Sequence, residues 1–442
     1  VSLRSHVTDL RPLRSSPAFL ALWSGTALAG FGGQIASVAA LAQVWDLTKS
    51  PVWTGTLGLA SGVAMLALGP LGGSLADRFD RRTIVRLSTA GQAVAALALT
   101  AQAALGLGSV PLLLALIAVQ SAAAAFGAPA RRTLPPRLLP AGEVAAGLAL
   151  QNLAFQGSML AGPALGGLLV AWSLPVAYSA EAVAIGISLL CLLALPAIPP
   201  QRAPGAAGAG AAAAATASRS PAAERGAWMH VLRRPTLWGA FAVDLAATVL
   251  AMPIALFPLV NEERFGGDPR TLGLFLSAIA VGGILAGALS GMVTRARRSG
   301  MLQLAAASVW GVALAGFGLA GPLWLALACL AVAGAADTVS VVTRGALVQL
   351  ETPDGFRGRV SAVEHVIGVA CPQIGNFRGG VLGGLLGAPI ALAVGGLTAT
   401  AAVLVIGAVN RPLRAYRMPD VPIEPDLTEV DREAGLLPGT GA

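Results

Sequence analysis

Twelve apolar runs of membrane-crossing length, each closed off by glycine, proline or charge, restrict this chain more than any other feature of it. They fall at residues 18–45, 52–76, 84–107, 112–126, 144–172 and 176–195. Six more follow at 237–260, 272–293, 302–319, 323–342, 360–386 and 390–409. A span of ~20 apolar residues crosses the hydrocarbon of a bilayer, and the lipid-exposed backbone there is satisfied only in a helix or a closed barrel. With 55% hydrophobic and 11% charged residues, the chain would present far too much apolar surface to water. The expectation is an all-α membrane protein of twelve transmembrane helices, multi-pass, with the lipid bilayer as its solvent.

The basic residues set the orientation. Lys49, Arg264 and Arg270 lie in loops on one side. The other side takes nearly all the remaining arginines, with Arg344, just past the tenth run, and Arg378, within the eleventh, left over. Positive charge is retained on the cytoplasmic side, so both termini are expected there, in an inner (cytoplasmic) membrane. The net charge of +8 therefore reads as loop anchoring, and no nucleic acid is expected as a partner. The three cysteines all fall in apolar runs and predict no disulfide framework.

Composition divides the chain into a cytoplasmic segment at 1–16, a six-helix half at 17–195, a linker at 196–234, a second six-helix half at 235–410 and a tail at 411–442. The linker is rich in Pro, Gly, Ala and Ser, and the tail in acids and prolines, as in tethers and solvated ends. The halves repeat one another at an offset of 213 residues. Arg131, Leu134 and Pro140 match Arg344, Leu347 and Pro353, while Gly162, Gly166 and Gly167 match Gly375, Gly379 and Gly380.

Between the second and third runs, residues 69–86 read GPLGGSLADRFDRRTIVR, with one acid, Asp77, ahead of Arg78, Arg81, Arg82 and Arg86. Read blandly, this is a positive-inside anchor loop with incidental glycines. The register of Gly73, Asp77, Arg78, Arg81 and Arg82, however, resembles the signature loop of the major facilitator superfamily. Asp80 departs from it, standing where most of that superfamily has glycine, as in the branch containing enterobactin and macrolide exporters. The resemblance implies the major facilitator fold, transport by alternating access, and a gating role for this loop, with Asp77 facing the start of the eleventh span. In the fifth span, Gly162-Pro163-Ala-Leu-Gly166-Gly167 is similar to the motif of the superfamily's antiporters. Its two earlier glycine positions are Ala149 and Ser158 here, and ordinary small-residue packing is the competing reading.

Ionisable groups inside apolar runs are functional candidates by default. These are Glu181, Asp244, Asp337, Glu364, His365 and Arg378, with Arg344 just past the tenth run as a further candidate. Asp244 and Asp337 lead as proton or substrate sites. Neither has an acid at the 213 offset, where Phe31 and Ala124 stand, so repeat architecture does not account for them. Glu181 comes next. Arg344 matches Arg131 at a helix end and reads more as an interface anchor, and Glu364 and His365 lie close enough to Arg359 to reach the surface. One histidine makes no metal site, and no Gly-x-x-x-x-Gly-Lys loop is present for ATP, so no metal, cofactor or enzymatic activity is expected. The reading is a secondary transporter, expected to act as a monomer, exporting an amphipathic small molecule such as a siderophore, drug or other secondary metabolite in exchange for protons. A lysophospholipid flippase of similar fold is the alternative, and a polytopic sensor or enzyme a more distant one.

Overall fold

The computed structural model describes residues 9–76, 79–196, 229, 231–289, 291, 297–352 and 354–418. Asp77 and Arg78, most of the linker and the tail beyond Met418 lie outside them, as does the proposed contact of Asp77. Among the described residues the long helices are α1 (Pro17–Thr48), α2 (Pro51–Ala76), α3 (Arg81–Ala104), α4 (Val110–Arg132), α5 (Val144–Trp172) and α6 (Leu174–Leu193). In the second half they are α7 (Pro235–Ala251), α8 (Phe257–Phe265), α9 (Pro269–Ala288), α10 (Ser299–Leu319), α11 (Leu323–Glu351), α12 (Asp354–Leu386) and α13 (Ala388–Val409). Helices α7 and α8, with a turn of 3₁₀-helix between them, form one crossing, so twelve crossings result. Eleven are long and apolar enough to span a membrane by composition alone; the other is α12, 33 residues long and carrying Glu364 and Arg378.

Proline placement explains many of the helix starts. Pro17, Pro51, Pro235 and Pro269 each occupy the first position, where the missing N–H costs nothing. Ser16, Asp80 and Asp268 cap their helices by accepting from Phe19 N, Arg82 N and Arg270 N. Asp80 sits at φ −57°, a conformation open to any residue, so the position has no need of the superfamily's glycine and uses the carboxylate as a cap instead. At 32 residues, α1 is about 48 Å long against ~30 Å of hydrocarbon, so it protrudes from the bilayer.

Several boundaries differ from the sequence expectation, and two of them bear on the site. The seventh crossing is broken at Met252 and Pro253, where proline removes a donor and the chain leaves the helix. Helix α11 runs on to Glu351, nine residues past its expected end at 342, which places Arg344 two turns inside the helix rather than at its edge.

The helices meet through glycine. Gly282 of α9 and Gly334 of α11 leave no room for a Cβ: one at 282 would strike the Ala331 carbonyl, and one at 334 the Ile279 carbonyl. Gly72 lies equally close to Phe126 O of α4, whereas the motif's Gly73 has Pro129 no nearer than 3.9 Å. Without water to expel, helix association in lipid depends on such close packing. Around the start of α8, Phe257, Phe275 and Phe317 stack edge to face at 5.2–5.5 Å, and Phe265 joins Phe275 at 5.7 Å. This aromatic core continues across the boundary between halves to Val38 and Leu41 of α1.

Replacing Gly282 by valine is expected to overpack the α9–α11 crossing and lower stability by about 1–3 kcal/mol. Thermal unfolding in detergent, with Gly186→Ala as the control where a Cβ meets nothing within 4 Å, measures the difference.

Candidate functional site

The halves press together at the end of the bundle that carries Lys49. Gly167 of α5 lies on the backbone of Pro269 and Arg270 at the start of α9, and Gly380 of α12 on that of Pro51 and Val52 at the start of α2. These glycines are partners at the 213 offset, so the repeat read from the sequence reappears as a pair of equivalent crossings. Gly162 and Gly166 turn to Gln34, Ile35 and Val38 of α1, while Gly375 and Gly379 turn to Thr248 and Met252 at the end of the seventh crossing's first helix. The glycine-proline motif of α5 is thus a junction: two glycines admit α1 of the same half, and the third admits α9 of the other. The carbonyl of Pro163 itself faces Gly273 of α9.

Polar contacts reinforce this closure. Trp45 Nε1 donates to Glu262 Oε2 at 3.0 Å, and Lys49 Nζ lies 3.4 Å from the same oxygen. Lys49 closes α1 in the left-handed region (φ 46°), its N–H returned to Trp45 O, and this tight turn brings its ammonium to both Asp46 and Glu262. Deeper in, Thr54 Oγ1 donates to Ala255 O at 2.6 Å, and Asn376 Oδ1 accepts from Ala255 N at 3.3 Å. Asn376 occupies the place of Pro163 in the repeat, so the second half has a side chain serving the broken crossing where the first has a proline.

Beneath the closure lies a cavity of about 450 Å³ between the halves. Its polar wall includes Gln34, Ser37, Gln92, Gln120 and Gln373; its apolar wall includes Leu57, Ile117, Met159, Met252 and Leu276. The Gln373 side chain lies across Gly58 and Gly62 of α2, so it both lines the cavity and forms part of the contact between halves. Glu181 of α6 is fully buried at this cavity, with Oε1 accepting from Gln120 Nε2 and Oε2 without a partner. Tyr178, one turn away, also lines the cavity, but its hydroxyl donates to Gln43 Oε1 at 2.8 Å. Gln43 in turn exchanges hydrogen bonds of 2.9 and 3.0 Å with Gln102, a buried carboxamide pair linking α1 to α3.

The other intramembrane charges gather elsewhere. Arg344 of α11 is only 6% exposed and forms an ion pair with Asp244 of α7, 8% exposed, and its Nε lies 3.5 Å from Glu364 Oε1 of α12. Asp337, half-buried two turns before Arg344 on the same helix, is within Coulombic range of both Arg344 and Asp244. Arg344 is accordingly not an interface anchor but the centre of a buried cluster inside the second half, and Asp244 is not an unpaired acid. None of these four residues lines the cavity. Arg378, half-buried, donates from Nη1 to Leu250 O at 2.6 Å, capping a carbonyl in the last turn of α7 just before the break. His365, next to Glu364 in the chain, is exposed. Beyond the loop motif, Arg86 caps the end of α6 through the Leu192 and Leu193 carbonyls. Sequence reading passed over Gln43, Gln102 and Gln373; their one signal was a carboxamide inside an apolar run.

Removing Arg344 is expected to strand Asp244 and Glu364 inside the bundle. Arg344→Ala should cost about 3–5 kcal/mol, and Arg344→Met combined with Asp244→Asn should restore much of it, because the uncompensated charge rather than the lost pair is destabilising. Unfolding midpoints in detergent for the single and double variants measure the difference.

Comparison with known proteins adds a lineage. Residues 7–432 match the family described as transmembrane secretion effector. The chain is 26% identical over 422 residues to the enterobactin exporter EntS of Citrobacter koseri, covering 94% of this chain and 97% of that one. The same exporter of Shigella boydii matches at 26% over 396 residues, covering 88% and 91%. Among solved structures, a D-xylose–proton symporter superposes with a TM-score of 0.66 at 16% identity over 88% of this chain and 96% of its own. The nucleoside transporter NupG does so with 0.69 at 16% over 90% and 99%. At these identities the solved structures speak for the fold alone.

Proposed function

The chain belongs to the transmembrane secretion effector family of major facilitator transporters, and from that premise we propose that it exports an amphipathic small molecule in exchange for protons. The observation that carries this reading is the cavity between the halves. Its volume suits a compound of drug or siderophore size, and its wall mixes carboxamides and hydroxyls with leucine, isoleucine and methionine. Similarity over nearly the full length to enterobactin exporters supports a secreted metabolite as cargo. The Lys49 end is taken to face outward, in keeping with the arginine-poor loops there. The arrangement is then the one with its outer side sealed, and transport alternates it with one in which the Glu262 contacts and the glycine crossings at Pro51 and Pro269 part.

The Arg344 cluster supplies a place for the coupling proton. One guanidinium faces Asp244 and Glu364 directly and Asp337 at longer range. Were all three acids ionised, the interior would carry an excess of negative charge, and each uncompensated carboxylate is unfavourable by ~2.5–3.5 kcal/mol at bilayer depth. Asp337, the acid with no direct ion pair to Arg344, is the group placed to load and release a proton. Helices α7, α11 and α12 share the cluster, so a change in its protonation alters how they hold together, and α12 also bears on α2 of the other half.

Inverted vesicles challenged with a panel of siderophore-like, drug-like and lysophospholipid compounds, with and without a pH gradient, test the export reading; accumulation of none of them overturns it. Asp337→Asn is expected to abolish uphill accumulation while leaving downhill exchange, and a variant that still concentrates substrate places the coupling group elsewhere.

A further inference from the structure

We infer that the cavity selects a substrate carrying a protonated amine or other fixed cation on an otherwise uncharged, amphiphilic body, with the Glu181 carboxylate as its counter-charge. The inference rests on the export reading and names the charge of the cargo. Among the described residues that line the cavity, Glu181 is the one acid and none is basic. The arginines of neighbouring helices are engaged away from it: Arg378 with the Leu250 carbonyl, Arg344 with Asp244, and Arg131 with Thr89 Oγ1 at 2.9 Å. An anion entering this space meets carboxamides, hydroxyls and a carboxylate, with no cation to replace its lost hydration.

The geometry of Glu181 is that of a receptor group. Gln120 holds one oxygen and so fixes the plane of the carboxylate. The other oxygen is buried and without a partner, an expensive condition for a polar atom unless something in the cavity completes it. Tyr178, one turn away on the same helix and also at the cavity, has already committed its proton to Gln43. Gly32 of α1 lets α6 pack closely at this point, a Cβ there falling only 3.3 Å from the Glu181 Cα. The apolar lining residues Leu57, Met252 and Leu276 come from both halves and offer a surface for the hydrocarbon body of the cargo.

Three fluorescent probes with one body and different charge test this: diphenylhexatriene, its trimethylammonium derivative and its propionic acid derivative. Full-length protein in nanodiscs is expected to bind the cation in preference to the acid by about tenfold or more. Glu181→Gln should remove that preference and Glu181→Asp should retain part of it, and inverted vesicles should export the cation and not the acid. Equal binding of acid and cation by the wild type overturns the inference without reference to any variant. A Glu181→Gln protein that binds the cation as the wild type does, yet loses gradient-driven efflux, assigns Glu181 to the proton and also overturns it. Efflux of the neutral or acidic probe by the wild type would leave the export reading standing and this inference fallen. Movement of none of the three probes, nor of any compound in the wider panel, would remove both.

Discussion

Inside a bilayer no water stands ready to satisfy a polar group that the protein has left alone, and this requirement places nearly every informative residue in the structure. Arg344 is held by acids from two other helices. Breaking the seventh crossing at Pro253 creates backbone groups in need of partners, and Arg378, Asn376 and Thr54 supply them from two helices, one in each half. Gln43, Gln102 and Tyr178 satisfy each other. Several other buried side-chain atoms go without a partner, but among the described residues Glu181 contributes the one carboxylate oxygen of that kind, and it lies at the cavity between the halves.

The two halves answer the same architectural need with different chemistry. Equivalent glycines, Gly167 and Gly380, bring each half against the other. At the position between, the first half has Pro163 and the second Asn376. The first thereby alters its own helix, whereas the second reaches out to a neighbour whose own proline has already broken it. Charge is divided in the same uneven way, with a cluster packed inside the second half and a single acid at the cavity wall of the first.

Helix number and the repeat of the two glycine crossings were legible in the sequence because hydrocarbon thickness and glycine register are written locally. Both glycine motifs were legible as patterns, though not their assignments: nothing in the spelling of residues 162–167 says which glycine faces which half. The Arg344 cluster was harder to read. Its members come from α7, α11 and α12, more than a hundred residues apart at the extremes, and no periodicity joins them. Ending the tenth run at 342 also disguised Arg344 as a boundary residue, since helix propensity in a sequence such as RGALVQLE continues well beyond the apolar stretch. Glu181 ranked below Asp244 and Asp337 because sequence gives the depth of a charge but not the direction in which it faces.

Gln373 gives the cavity wall a second character. Its side chain rests on Gly58 and Gly62, next to Gly55 where the backbone of α2 meets that of α12, so the surface that a bound molecule touches and the surface along which the halves meet are, for that length, the same. A joint built of glycine has no interlocking teeth, and one long, bendable amide laid across it works as a gasket. Whatever fills the cavity leans on that gasket directly, so occupancy is felt at the seam without any relay through the interior of either half.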